Sequence, residues 1–108
     1  MPIYNKLVRD RIPEIIANSG SSYTSRILDD AEYRVELRTK LQEEVGEYLA
    51  AQTDGEAVEE LADIMELLHA MAESHGVTVD ELEQVRAEKA AKRGGFKERI
   101  YLIEVQDA

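Results

Sequence analysis

The 108-residue chain is long enough for one buried core but too short for two, so we expect a single domain over residues 1–108. Its 44% hydrophobic and 33% charged residues are typical of a globular protein, and the absence of cysteine excludes disulfides, thiolate metal sites and cysteine nucleophiles. The formal net charge of −10 argues against binding a nucleic acid polymer, which requires a basic face.

A short helix and a short strand are expected in the first third of the chain. Asp10 can cap a helix over about residues 11–18, in which Pro13 occupies the first turn and Ser19-Gly20 follows the end. Residues 23–28 carry the aromatic and β-branched side chains that are typical of a strand.

Longer helices are expected in the middle of the chain. Asp29 with Glu32, and Thr78 with Glu81, have the spacing of capping boxes, which mark where helices begin. We expect one helix from Asp29 to about residue 52, a second from about 56 to 74 beyond a turn at 53–55, and a third from Thr78 to Gly94-Gly95.

A second strand is expected near the end of the chain. Residues 99–105 are again rich in β-branched and aromatic side chains. Because an isolated strand is not stable, we expect this segment to pair with residues 23–28. The predicted fold class is therefore mainly α, an antiparallel helical bundle with a small two-stranded β appendage.

Carboxylates interrupt the apolar faces of the two long helices. At about 100° per residue, Glu44 falls in the middle of the apolar face of the first helix, with Glu47 at its edge. Glu60 begins an apolar row on the second helix, and Asp63 lies beside it, one turn along. A buried carboxylate without a partner is costly, so these positions need a neutralising group.

A hairpin turn at residues 53–55 would bring these acids together. The rise of the two helices places Glu47 opposite Glu60 and Glu44 opposite Asp63. No Lys or Arg occurs between residues 41 and 85, so a cation is expected to relieve the repulsion. Oxygen ligands alone favour Mg²⁺ first and Mn²⁺ second. On charge alone, a solvated acidic helix pair is the alternative.

The acidic pattern points to a family. Glu44-x-x-Glu47, twelve intervening residues and Glu60-x-x-Asp63 resemble the defining motif of the MazG-like, all-α nucleoside triphosphate pyrophosphatase superfamily. The segments YNKLVRDRIP at residues 4–13 and KAAKRGGF at 89–96 are similar to those of small proteins labelled phosphoribosyl-ATP pyrophosphohydrolase-like. The resemblance covers nearly the whole chain, and the paired acidic motif is its most specific part.

The resemblance implies a reaction. Such enzymes hydrolyse the α–β phosphoanhydride of a nucleoside triphosphate, or of phosphoribosyl-ATP, to a monophosphate and pyrophosphate, with a metal held by the four acids. Glu43 is assigned, as a hypothesis, to orienting or deprotonating the attacking water, with a plain solvated glutamate as the alternative. Basic side chains near the two ends are candidate phosphate contacts, although those in a last helical turn also stabilise the helix dipole without any ligand. They are Lys6, Arg9, Lys89, Lys92 and Arg93.

Partners and location follow from the same reading. Three helices and a β pair leave the wide apolar arc of the second long helix poorly covered, so we expect a homodimer or a higher homo-oligomer. No apolar run approaches the roughly 20 residues that cross a bilayer, and no secretory signal opens the chain, so we expect no membrane partner and a cytoplasmic location.

The sequence leaves open whether the substrate is phosphoribosyl-ATP or a surplus triphosphate. A non-catalytic helical module that binds a metal or a nucleotide is the rival from another class.

Overall fold

Four helices account for the regular structure of residues 2–107, which are the residues that the computed structural model describes. α2 and α3 form a long hairpin and pack along one another, and α4 packs more briefly against α3. The helices are α1 (Ile12–Asn18), α2 (Asp30–Ala50), α3 (Asp54–Ser74) and α4 (Val79–Arg93).

Side-chain caps fix where three of these helices begin. Asp29 accepts a hydrogen bond from the Glu32 backbone at 2.8 Å, and the Glu32 side chain accepts one from the Asp29 backbone, which completes the expected capping box. Thr78 likewise accepts a bond from the Glu81 backbone at the start of α4. Thr53 caps α3, and this helix therefore begins two residues before the expected position.

The first helix forms close to its expected position, but its predicted cap is wrong. α1 begins at Ile12, with Arg11 in the N-cap position and no side-chain hydrogen bond to the cap. Asp10 therefore does not cap it. Pro13 lies in the first turn, as expected, because its missing N–H has no intrahelical acceptor there.

The predicted β appendage is also wrong, although the mainly α class is confirmed. Within residues 2–107 no strand forms, and residues 23–28 and 99–105 have no regular secondary structure. Ile27 and Ile103 are 95% and 87% exposed, so neither segment has the packed face that stabilises a sheet. The residue pattern reports side-chain preference, whereas a strand also requires a second strand to accept and donate its backbone hydrogen bonds.

The centre of the α2–α3 hairpin positions the acidic site. Leu37, only 2% exposed, is the most deeply buried large side chain among residues 2–107. Glu44 follows it two helical turns later and therefore lies on the same, inward face of α2. At the other end of the hairpin, Arg34 Nη2 donates a hydrogen bond of 2.6 Å to the carbonyl oxygen of Ser74 and joins α2 to the end of α3.

Much apolar surface remains exposed around this hairpin. The molecule measures 66 × 35 × 23 Å with a radius of gyration of 18.6 Å, whereas a compact domain of this length has about 13 Å. Ile3 near the start and residues 100–103 near the end are exposed and contribute to this extension. Within the described residues, no helix is long and apolar enough to span a membrane.

Candidate metal centre

Glu44 is a buried carboxylate in the interface between α2 and α3. The residue is 7% exposed, and its Oε2 atom is shielded from solvent without a hydrogen-bond partner. Its other oxygen, Oε1, lies 3.8 Å from Nζ of Lys40, one turn earlier on the same helix. A buried oxygen without a partner is costly, by about 1–3 kcal/mol and more when the group is charged.

Two acids from α3 meet Glu44 across the hairpin. Glu44, Glu60 and Asp63 each offer a carboxylate oxygen, and these three atoms lie within 4.8 Å of one another. Glu60 and Asp63 are half-buried, and Oε2 of Glu60 is a second shielded oxygen without a hydrogen-bond partner. The two orphaned oxygens come from opposite helices, so a single ligand between the helices would satisfy both.

The remaining acids of the cluster lie on its outer rim. Glu43, Glu44 and Glu47 also place carboxylate oxygens within 4.8 Å of one another, and Glu43 and Glu47 are exposed. Glu47 affects an acid on each helix, because it raises the pKa of Glu44 on α2 and of Glu60 on α3. The structure thus brings together the four acids that the sequence selected, with Glu43 beside them.

The electrostatics of the metal-free cluster favour one retained proton. Burial raises the pKa of Glu44 to about 7, and contacts with Glu60 and Glu47 and the charges of Glu47 and Asp63 act in the same direction. Contact with Glu44 lowers the pKa of Glu60, but burial and the neighbouring Glu47 and Asp63 outweigh it and raise this pKa overall. A divalent cation would take the place of this proton and stabilise the ionised carboxylates.

Three basic side chains contact the cluster. Arg9 Nη2 donates a 2.5 Å hydrogen bond to Oδ1 of Asp63, and Lys6 Nζ lies 3.7 Å from Oε1 of Glu43. Both were predicted as phosphate contacts, and the structure brings both to the acids. The third, Lys40, was missed, because it lies just outside the stretch without Lys or Arg. Its i, i+4 spacing to Glu44 is the signal that would have found it.

One protein family matches most of the chain. The family described as phosphoribosyl-ATP pyrophosphohydrolase matches residues 3–90, a range that contains Arg9 and all the acids of the cluster. The chain belongs to this family. The family is part of the MazG-like all-α superfamily, so the resemblance drawn from the sequence is confirmed. The family is named for the hydrolysis of a phosphoanhydride and is generally metal-dependent.

One relative is also similar in sequence. An uncharacterised protein of Mycolicibacterium smegmatis is 52% identical over 54 residues, which cover 50% of this chain and 55% of the relative. The match therefore spans about half the length of that relative, whose name carries no function. A comparison with solved structures found no match.

The C-terminal basic residues of this pyrophosphohydrolase family member form no ion pair with the acids in the described part of the chain. Lys89, Lys92 and Arg93 are exposed on α4, and none of them forms an ion pair within residues 2–107. α4 borders α3 along a groove lined by Leu68, among others, roughly 140° around that helix from Asp63.

The cluster has the chemistry of a hard-cation site. All its donors are carboxylate oxygens, which suit Mg²⁺ or Mn²⁺ rather than a softer metal. The two shielded oxygens without partners are what a cation between α2 and α3 would satisfy. Exposed acidic groups are common without a metal, but a buried acid at the centre of such a group is not, since its charge then has no solvent to stabilise it.

Proposed function

We propose that this protein is a Mg²⁺-dependent nucleotide pyrophosphohydrolase, in which Mn²⁺ can replace Mg²⁺. Its reaction would be cleavage of the α–β phosphoanhydride of a nucleoside triphosphate, or of phosphoribosyl-ATP, to a monophosphate and pyrophosphate. The observation that carries the proposal is the pair of shielded, unpartnered oxygens on Glu44 and Glu60 in a family member. The chain would act as a single domain in the cytoplasm, and its net charge of −10 supports the exclusion of nucleic acid polymers as partners.

The proposed metal ligands are Glu44, Glu47, Glu60 and Asp63. Glu44 and Glu60 would form the buried floor of the site, because each has an oxygen that is shielded from solvent and has no hydrogen-bond partner. Asp63 and Glu47 would hold the metal from the more exposed side. When bound, the divalent ion would offset the charge of the phosphate oxygens and polarise the phosphoanhydride. An acidic site can bind a polyanion only with such a cation, since the ion inverts the local field.

Glu43 is the proposed general base. Its carboxylate lies beside the ligand set but is itself exposed, so a water molecule has access to it. A carboxylate in this position would orient the attacking water and accept its proton. Lys6 Nζ lies 3.7 Å from this carboxylate.

The five basic residues are the proposed phosphate contacts. Arg9 and Lys6 lie at the rim of the acid cluster, where a phosphate group bound through the metal would meet them. The exposure of Lys89, Lys92 and Arg93 leaves them accessible to a phosphate from solvent. Lys92 and Arg93 also lie in the last turn of α4, close to its negative end, so the individual contributions of the basic residues must be separated by substitution.

A second copy of the chain is the proposed cover for the exposed apolar stripe of α3. Val58, Leu61, Met65 and Leu68 follow one another at intervals of three and four residues, and all remain 43–63% exposed. This spacing is that of helices that pack against other helices. A homodimer or a higher homo-oligomer would bury the stripe, and light scattering behind a sizing column would measure its size.

Pyrophosphate release from a panel of nucleotides tests the proposal. The panel contains phosphoribosyl-ATP and the common and modified nucleoside triphosphates, each with Mg²⁺, with Mn²⁺ and with a chelator. We expect release from at least one substrate that stops on chelation. Turnover of phosphoribosyl-ATP alone would indicate a biosynthetic enzyme. Absent or chelator-insensitive release across the panel would contradict the proposal and favour a binding module.

Glu47→Gln separates chemistry from folding in this assay. Glu47 is exposed, so the substitution should leave the fold intact, as circular dichroism would verify, while removing a metal ligand. We expect a loss of turnover of at least about a hundredfold. Glu59→Gln is the matched control, because Glu59 is an exposed glutamate of α3 outside the acid cluster. Wild-type turnover in Glu47→Gln would remove Glu47 from the mechanism.

A further inference from the structure

The segment before α1 crosses the acid cluster and contacts both helices of the hairpin. We define residues 3–11 as the N-terminal strap. Its Arg9 donates to Asp63 on α3, and its Lys6 pairs with Glu43 on α2. The strap therefore places two positive charges on the rim of the cluster, one toward each helix.

The strap is only loosely attached. Leu7 is half-buried, while the rest of the strap is exposed. The side chains of Lys6 and Arg9 are 41% and 56% exposed, and ion pairs between exposed groups contribute little to stability. A turn in which the Ile12 N–H donates to the Arg9 carbonyl connects the strap to α1, which packs against none of the other described helices.

Arg9 and a metal ion need the same carboxylate group. Asp63, whose Oδ1 accepts the hydrogen bond from Arg9, is one of the acids that the proposed metal site would use. A guanidinium carries one charge and reaches the exposed rim, whereas a divalent ion between the helices would also satisfy the shielded oxygens of Glu44 and Glu60. The ion therefore gains contacts that Arg9 cannot make.

We propose that the N-terminal strap supplies positive charge to the acid cluster in place of the metal. When no metal is bound, it neutralises the rim of the cluster through Arg9 and Lys6, and metal binding displaces it. Displacement frees the guanidinium of Arg9 to bind a phosphate and frees Glu43 from Lys6. This inference rests on the metal site of the proposed function. It adds that the same side chains have different partners before and after the metal binds.

Calorimetric titration with Mg²⁺ measures the competition. Arg9→Gln removes the competitor for Asp63, so we expect this variant to bind Mg²⁺ more tightly than the wild type, by up to about fivefold. Arg11→Gln is the matched control, because Arg11 lies in the same strap but pairs with Glu14. It removes the same charge without removing a contact to the cluster, and its Mg²⁺ affinity should stay closer to that of the wild type than to that of Arg9→Gln.

A spin label reports on the displacement itself. The chain has no cysteine, so Ile3→Cys gives a single labelling position on the exposed part of the strap. We expect the mobility of this label to increase on adding Mg²⁺. A label at Ala91→Cys, on the exposed side of α4, is the control and should not respond.

The outcomes distinguish this inference from the proposed function. Mg²⁺ binding that leaves the mobility of the label at position 3 unchanged would contradict the proposed role of the strap but not the metal site. Equal Mg²⁺ affinities of Arg9→Gln and Arg11→Gln would have the same meaning. No Mg²⁺ binding in the wild type and in Arg9→Gln would overturn both. Tighter binding specific to Arg9→Gln, together with a label that becomes mobile on adding Mg²⁺, would support both.

Discussion

The ammonium group of Lys40 lies 3.8 Å from Oε1 of Glu44, one helical turn away on the same face of α2. The Lys40 side chain is only 18% exposed, so this pair is screened by solvent less than the other ion pairs of the cluster. Lys40 therefore supplies a fixed positive charge beneath the site, whereas Lys6 and Arg9 supply charge at its rim.

Replacing Lys40 with methionine should raise the pKa of Glu44 in the metal-free protein. The ammonium group favours the ionised carboxylate, so its loss should move this pKa upward by roughly one unit. Carbon-detected NMR titration of the glutamate carboxyl groups measures the change. Arg38→Met, which removes a charge from an exposed position of α2, is the control. An unchanged or lower pKa of Glu44 in Lys40→Met would show that the ion pair has no electrostatic effect.

The free energy of unfolding of the metal-free protein should fall between about pH 4.5 and pH 7. The pKa of Glu44 is raised from 4.5 to about 7 in the folded protein, so the unfolded chain loses this proton first as the pH rises. The folded state then loses stability until Glu44 also ionises. Glu60 acts in the same direction. We expect a decrease on the order of 2 kcal/mol in urea denaturation with a chelator present.

The variant Glu44→Gln provides the control for this pH dependence. Glutamine does not titrate, so most of the decrease between pH 4.5 and pH 7 should disappear. Saturating Mg²⁺ should reverse the decrease in the wild type, because a ligand that binds only the folded state stabilises it. A free energy of unfolding that stays level or rises with pH in the metal-free wild type would contradict the pKa assigned to Glu44.

Leu37→Ala should destabilise the hairpin that carries the site. Leu37 is 2% exposed, and truncating so deeply buried a leucine costs about 2–4 kcal/mol. Leu49→Ala is the control on the same helix, since Leu49 is 77% exposed and its truncation should change the free energy of unfolding by less than about 0.5 kcal/mol. Chemical denaturation measures both. Equal effects of the two substitutions would mean that Leu37 does not anchor the α2–α3 interface.

Local signals in the sequence predicted the helices and the acid cluster. The caps at Asp29 and Thr78 depend on residues three positions apart, so they are visible without tertiary information. The approach of Glu44 to Glu60 and Asp63 follows from helical rise and from a three-residue turn, which was predicted at residues 53–55 and lies at residues 51–53. Both predictions depended on distances that are fixed by the regular geometry of an α-helix.

Features that depend on long-range contacts were not predicted correctly. The β appendage required residues 23–28 and 99–105 to meet, and nothing local determines whether they do. The pairing of Arg9 with Asp63 joins residues 54 positions apart, through a strap without regular structure. Charge counting along the chain identified Arg9 as a basic residue but could not identify its partner.

Calorimetric titration of the wild type and Glu44→Gln with Mg²⁺, at pH 6.5 in two buffers of different ionisation enthalpy, tests the metal site most directly. At this pH Glu44 is still largely protonated, so we predict that the wild type binds Mg²⁺ and releases up to about one proton, while Glu44→Gln loses at least about tenfold in affinity and releases none. Glu59→Gln should behave as the wild type. Equal affinities in the wild type and Glu44→Gln, or no binding in the wild type, would contradict the metal centre.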